Sequence, residues 1–577
     1  MEFVDIFSYK LPIAHLIDQL TNWLTTNCAG FFNLITKGGS ALMDFITNGL
    51  LFLPPLLLIV LLTIAAYFGS NRHFKLPALT LLGLLFVYNQ GLWTGLMNTF
   101  TLVLIASLVS VIIGIPLGIW MAKNDKVQAV VKPILDFMQT MPAFVYLIPA
   151  VAFFGIGMVP GVFASVIFAL PPTVRFTNLA IRQIPKELVE ATDAFGSTPK
   201  QKLFSLELPM AKPTIWAGIN QTIMLALSMV VTASMIGAPG LGKDVLSALQ
   251  HANIGTGFVA GLALVILAII IDRFTQKFNQ PIQAKPKLTP KQKRNHRLIV
   301  GGILAAIILI LGAGNFKSLT QKAKPTVNLG YVDWDSEVAS TNVIAQVLRD
   351  QGFKVELTSL DNAVLWKSVA NGSVDAEVGA WLPTTHGNLY KQYHNNLVDL
   401  GPNLKGVKLG LAVPAYMNVN SISDLNNQAN KTITGIEPGA GVTAAAKKTL
   451  KAYSNLNDWQ LSTSSSGAMT VALDKAIKQH QEIVITGWSP HWMFAKYKLK
   501  YLADSKHTMG RSENIHTIVK KNLKTDNPKA YRILNKFTWT KEDMESVMLD
   551  INNGMSPQKA AQKWIKAHPK QVKAWVD

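Results

Sequence analysis

Charged residues are scarce in this chain. Asp, Glu, Lys and Arg make up only 15% of its 577 residues, against about 25% in soluble domains. Acids are the scarcer sign, 34 against 54 basic residues, for a formal net charge of +20. No aromatic-basic cluster accompanies that charge, so nucleic acid is not an expected partner. Cysteine is nearly absent: Cys28 alone cannot make an internal disulfide or a multi-cysteine metal site. No phosphate-binding loop of the form G-x4-G-K-[ST] occurs. The nearest stretch, "GAPGLGKD" (residues 237–244), has Asp244 where a hydroxyl should follow Lys243, so nucleotide hydrolysis is excluded from the expected activities. No nucleophile–base pair or metal-ligand spacing stands out. The first 37 residues lack the basic start and apolar core of a signal peptide, and "FVDIFSYKLPIAHLIDQLTNWL" reads as an amphipathic helix lying on a membrane.

What the chain has instead is apolar runs. Eight candidate spans fall near residues 50–68, 76–88, 97–121, 141–156, 162–181, 215–236, 257–271 and 298–311; a span needs about 20 apolar residues. Basic residues cluster after the first, third, fifth and seventh runs. Because Lys and Arg favour cytoplasmic loops, the N-terminus is expected outside, and the eighth run returns the chain outward. From about residue 315 the composition becomes that of a lysine-rich soluble domain. The expectation is a multi-domain, multi-pass protein of the plasma membrane in contact with lipid. It has an N-terminal segment (1–45), an all-α transmembrane domain (46–275), a basic cytoplasmic linker with a last helix (276–320) and an extracellular α/β domain (321–577).

Between the fifth and sixth runs stands "ELVEATDAFGSTPKQKLFSLELPMAKP". Glu190-Ala191-Thr192 is followed by Gly196, then nine residues, then Leu206-x-Leu208-Pro209. An amphipathic helix, a Gly stop and a second helix would make a rigid knob. The loop (186–213) resembles the cytoplasmic EAA loop of ABC-importer permeases, EAA-x3-G-x9-I-x-LP. Thr192 replaces the second Ala, and Leu206 the Ile. The resemblance implies a type I importer fold in which Glu190, Ala191, Gly196, Leu208 and Pro209 couple to a separate ATPase. That partner would carry ATP and Mg, leaving this chain without a cofactor or an enzymatic activity of its own. It also implies a homodimer, because one chain supplies one permease core.

The soluble half repeats a pattern. "TVNLGYVDW" and "KTITGIEPG" are strands that end in turns, each followed by a helical run and, about fifty residues on, by a W-x-P turn: "AWLPTTH" and "GWSPHW". Alternating strands and helices argue for two α/β lobes, with the ligand beyond the strand carboxyl ends. Trp334, Trp381 and Trp488 lie there, and aromatic faces suit a quaternary ammonium that donates no hydrogen bond. Free amides at Gly435 and Ile436 favour an anion, and His386 can donate to it. Cation cage plus anion site describes a zwitterion such as glycine betaine.

"YVDW", "AWLPTTH" and "GWSPHW" resemble the ligand motifs of glycine-betaine-binding domains in the Opu-type osmoprotectant importers. The resemblance implies a periplasmic-type binding domain that closes by a hinge. In it Trp334, Trp381 and Trp488 form a prism round the ammonium, while His386 and the Gly435 and Ile436 amides hold the carboxylate. It further implies a fused permease and binding subunit, a Gram-positive source and a role in osmoprotection. Carnitine, proline betaine and choline stay open as ligands, as does a betaine receptor without transport. Trp366, Trp459, Trp539, Trp564 and Trp575 read as packing residues; His491 and Trp492 are undecided.

Overall fold

The computed structural model describes residues 12–69, 74–250, 253–278 and 325–577. The chain divides into two compact units: a helical one, which runs to Lys243 and resumes at Val259, and an α/β one, which takes in Asp244–Phe258 with the C-terminal part of the chain.

In the helical unit, four helices among the described residues are long and apolar enough to cross a membrane: Trp93–Lys123, Met158–Arg182, Pro199–Ser234 and Ile254–Gln276. The count rises to six if each of two bent pairs is one span. Seven of the eight expected runs fall on described residues, and four of those seven lie in single helices of this kind. The run at 50–68 straddles a 96° bend between Ala29–Phe52 and Pro55–Phe68. Leu53 is extended (φ −73°, ψ 138°), because the residue before a proline is pushed out of the helical region. The run at 141–156 is only the second arm of Asp125–Thr140 and Ala143–Phe154, bent by 105° at Met141-Pro142. Lys75–Asn89, at 15 residues, reaches about 22 Å, short of the roughly 30 Å hydrocarbon layer. The eighth run lies outside the described residues, as does most of the basic linker. The amphipathic N-terminal stretch is helical over Ile13–Asn27.

Small residues set the helix packing. A Cβ on Gly118 would sit 2.6 Å from Thr177 Cβ and 2.7 Å from Val174 O, and one on Gly114 would sit 2.8 Å from Thr173 Cγ2. Gly114-x3-Gly118 thus lets the backbones of Trp93–Lys123 and Met158–Arg182 meet, as small residues do in membranes.

The α/β unit has two lobes that share one strand. Its strands are β1 (Thr326–Tyr331), β2 (Lys354–Ser359), β3 (Ala376–Leu382), β4 (Leu397–Pro414), β5 (Thr432–Thr434), β6 (Gln460–Ser462), β7 (Val484–Ser489), β8 (Leu499–Tyr501) and β9 (Glu513–Lys520). Their order is β2-β1-β3-β9-β4-β7-β5-β6, with β8 on β4. The first half of β4, to Val407, pairs with β9, and from Lys408 it pairs with β7. One continuous strand therefore belongs to both lobes. Parallel β1 and β3 in one lobe, and β5 and β7 in the other, send their carboxyl ends toward the cleft.

Behind the first lobe's cleft wall lie two buried acids. Glu337 begins the helix Asp335–Asp350; Glu377 lies in β3. Both are at most 1% exposed. Glu337 Oε2 accepts from Val332 N at 2.6 Å, while Glu337 Oε1 and both Glu377 oxygens have no partner among the described residues. Room exists because residue 379 is glycine; a Cβ there would collide with the Glu337 carboxyl. Burial pushes Glu337 up to about 8, and Asp333 adds to the rise. Burial, and then Glu337 itself, raises Glu377 well above the usual carboxylate range. Two unpaired buried carboxylates are too costly to keep ionised, so the pair stays protonated.

A folded-state pKa above the unfolded value near 4.3 means that folding takes up protons. Stability from this pair is full below that value and is lost as pH rises through about 8. The melting temperature of the α/β unit, followed in the full chain, should therefore fall between pH 5 and 9. Glu377→Gln, a neutral isostere, should flatten the profile and melt above wild type at the alkaline end. Parallel profiles would contradict an un-ionised pair.

Candidate ligand cage and coupling loop

The indoles of Trp334, Trp381 and Trp488 line one cavity, together with Ser336, Thr385, His386, Leu409, Ile436, Ala440, Gly441 and Val442. The lining comes from both lobes. Trp334 follows β1, Trp381 is in β3 and Trp488 in β7, opposite Leu409 of β4. All three indoles are at most 8% exposed.

Each W-x-P turn contains a cis proline, at Leu382-Pro383 and Ser489-Pro490. The first turn is closed at both ends. His386 N donates to Trp381 O (2.9 Å), and Trp381 N donates to His386 Nδ1 (3.1 Å). Glu513, at the start of β9, accepts from Thr385 N (3.0 Å) and Thr385 Oγ1 (2.9 Å). Since Nδ1 accepts, the His386 proton is on Nε2. Burial drags its pKa down to about 4, which leaves a neutral ring with one N–H to donate. Trp366, fully buried, meets that ring edge-on at 5.7 Å, and Trp334 stacks on it at 6.1 Å.

Two sequence expectations part here. Ile436 lines the cavity, and its N–H has no acceptor among the described residues. Gly435 does not line it, and its amide is taken: it donates to Ser462 O at 2.8 Å. That extends the pairing of β5 with β6 by one residue, which a reading of "GIEPG" as a bare turn misses. What the sequence reading missed on the same side is the first turn of Gly441–Ala452, whose Ala440, Gly441 and Val442 reach the cavity. Its early N–H groups have no side-chain cap, and such a terminus favours anions.

Trp539 meets Trp564 edge-on (5.9 Å), Trp564 stacks on Trp575 (5.7 Å), and Trp459 is buried with its N–H on Asn426 O. His491 and Trp492 do not line the cavity. His491 is wholly buried, with Nε2 3.4 Å from Asp335 across the lobes.

In the helical unit, Glu190 and Ala191 are exposed on the helix Lys186–Ala194. It ends at Gly196, φ +74°, a left-handed position where other residues are strained. Thr198 then caps the short helix Pro199–Lys202. A π turn, Leu203–Glu207, leads into Leu208–Ser234, with Pro209 in its first turn. Lys202 binds Asp193 (2.7 Å) and so ties the two short helices together. Buried Glu207 binds Lys123 (2.5 Å) at the end of Trp93–Lys123. Phe195 and Phe204 are exposed on this knob.

Two family models match. Residues 325–567 match the substrate binding domain of ABC-type glycine betaine transport systems, and residues 114–283 match the inner membrane component of binding-protein-dependent transport systems. The chain is 56% identical over 277 residues to the glycine betaine/carnitine transport permease protein GbuB of Listeria monocytogenes, covering 48% of this chain and 98% of that one. This chain belongs to the Opu-type ABC-importer family, as a permease fused to a substrate-binding domain. It is also 51% identical over 267 residues to the glycine betaine permease OpuAB of Bacillus subtilis, covering 46% of this chain and 94% of that one. Lactococcal OpuAC, solved closed with glycine betaine, is 63% identical over 44% of this chain and all of that one, with a TM-score of 0.44. With its apolar helices the chain is a membrane protein and a transport subunit.

The lobes touch closely at Gly441, where a Cβ would run into Thr385 of the other lobe. No positive φ is required there, so alanine fits the helix. Gly441→Ala should therefore keep the wild-type melting temperature but hold the cleft open, read as a longer distance between one dye on each lobe. An unchanged distance would show that the contact yields.

Proposed function

We propose that this chain binds glycine betaine outside the cell and forms the path by which it enters, driven by a separate ATPase. The observation that carries the reading is the chemistry around one cavity. Three indole faces offer a cation nothing but π density. A neutral imidazole N–H, the Ile436 amide and a helix start offer donors to an anion. A trimethylammonium-carboxylate zwitterion uses both. Choline has no carboxylate and leaves the donors unanswered. An ordinary amine would favour a carboxylate, and none lines the cavity among the described residues.

The family resemblance supports the rest. Two copies of the chain complete the pathway, and each docks its knob on one ATPase subunit that holds ATP and Mg. The binding domain faces outward from a plasma membrane. A receptor carried on its own permease suits a Gram-positive cell, which has no outer membrane to retain a free one.

Calorimetric titration of the full chain in lipid nanodiscs should show glycine betaine binding well above choline. Trp334→Ala, Trp381→Ala and Trp488→Ala should each weaken it by about 1–2 kcal/mol, the loss expected for a desolvated cation–π face. Phe at the same positions should cost less. Normal affinity in all three Ala variants would remove the cage.

Coupling separates a transporter from a betaine receptor. Gly196→Val forces a β-branched residue into a left-handed turn, and Glu190→Lys reverses a charge on the knob. Both should abolish betaine-stimulated ATP hydrolysis by the assembled complex while betaine affinity stays at the wild-type value. Full stimulation in both variants would favour the receptor.

A further inference from the structure

Trp334 makes a contact that the cage alone does not explain. Its indole Nε1–H donates across the cleft to Glu437 Oε2, 3.3 Å away. The other oxygen of Glu437 accepts from Ser466 N at 3.0 Å, in the first turn of the helix Ser466–Lys478. Glu437 stands directly after Ile436, which lines the cavity. The carboxylate is thus fixed at one end to a helix start, a favourable place for an anion, and at the other to a wall of the cage in the opposite lobe. Glu437 does not line the cavity itself.

We propose that Glu437 is a positioning residue for ligand binding: its carboxylate orients the Trp334 indole and latches the lobes when they close. Three physical consequences follow from the geometry. The indole loses its freedom to rotate, so the cation meets a wall already in place. A negative acceptor on the ring N–H pushes electron density onto the π face, which strengthens its pull on a cation. The bond joins a residue of the β1–β3 lobe to one of the β5–β7 lobe, so opening about the shared strand β4 must break it. Its loss should therefore appear in the rate of ligand release more than in the rate of capture. The ligand used to read this rests on the glycine betaine assignment; the contact itself does not.

A double-mutant cycle with Trp334→Phe decides it, because Phe keeps a ring and removes the N–H. In the full chain in nanodiscs, Glu437→Ala should weaken glycine betaine binding by about ten-fold, as for a lost hydrogen bond to a charged group, chiefly through faster release. Glu437→Gln, which keeps an acceptor without the charge, should fall between. In the Trp334→Phe background, Glu437→Ala should cost less than about two-fold, the mark of a shared interaction. If Glu437 merely caps the Ser466 helix, its loss costs the same factor in both backgrounds, and the proposal is overturned. Unchanged affinity for Glu437→Ala overturns it too. If the wild-type chain does not bind glycine betaine, the ligand assignment fails. The same cycle on the melting temperature of the ligand-free chain then judges the latch: coupled shifts sustain it and additive shifts refute it.

Discussion

A trimethylammonium group gives a protein nothing to hydrogen-bond, so it can be held only by surfaces that surround it. In the proposed reading, that constraint orders the α/β unit. Three indoles must converge from two lobes, yet the lobes must part to admit a ligand. Strand β4 reconciles these demands, since its two halves pair with β9 in one lobe and β7 in the other. The indoles ride at or just beyond the carboxyl ends of buried strands and are packed from behind. Trp381 is held in a turn closed by His386 and clamped by Glu513. Little rotamer freedom is left for a ligand to remove, and preorganisation of this kind raises affinity without adding contacts.

In the helical unit the corresponding demand is stiffness between the pore-forming helices and the exposed loop. Close backbone approach at Gly114 and Gly118 supplies it within the bundle. The Lys123–Glu207 and Lys202–Asp193 pairs supply it within the knob. Glu207 is 2% exposed, and taking Lys123 away would leave a buried carboxylate without its charge partner. These pairs tie the knob, which we propose docks on the ATPase, to Trp93–Lys123 and Leu208–Ser234.

The sequence was most legible where a local pattern carries the geometry. The W-x-P turns, the alternation of strand and helix, and the Gly stop at residue 196 are written in neighbouring residues, and Trp334, Trp381, Trp488, His386 and Ile436 meet at one cavity. It was least legible where a partner lies far along the chain. Ser462 occupies the Gly435 amide from 27 positions away, as β6 adds to β5. Glu513 clamps Thr385 from 128 positions away. Nothing local marks Glu337 and Glu377, 40 positions apart, as a buried pair. Hydropathy also misjudged the spans at residues 53 and 141, because an apolar run does not report the bend that a proline imposes.

The most direct test of the account is a structure of the full chain in nanodiscs with glycine betaine bound. The account predicts density for the trimethylammonium group among Trp334, Trp381 and Trp488, with the carboxylate against the Ile436 amide and the His386 Nε2–H. Ligand density in another cavity, or a carboxylate turned toward the indoles, would contradict it.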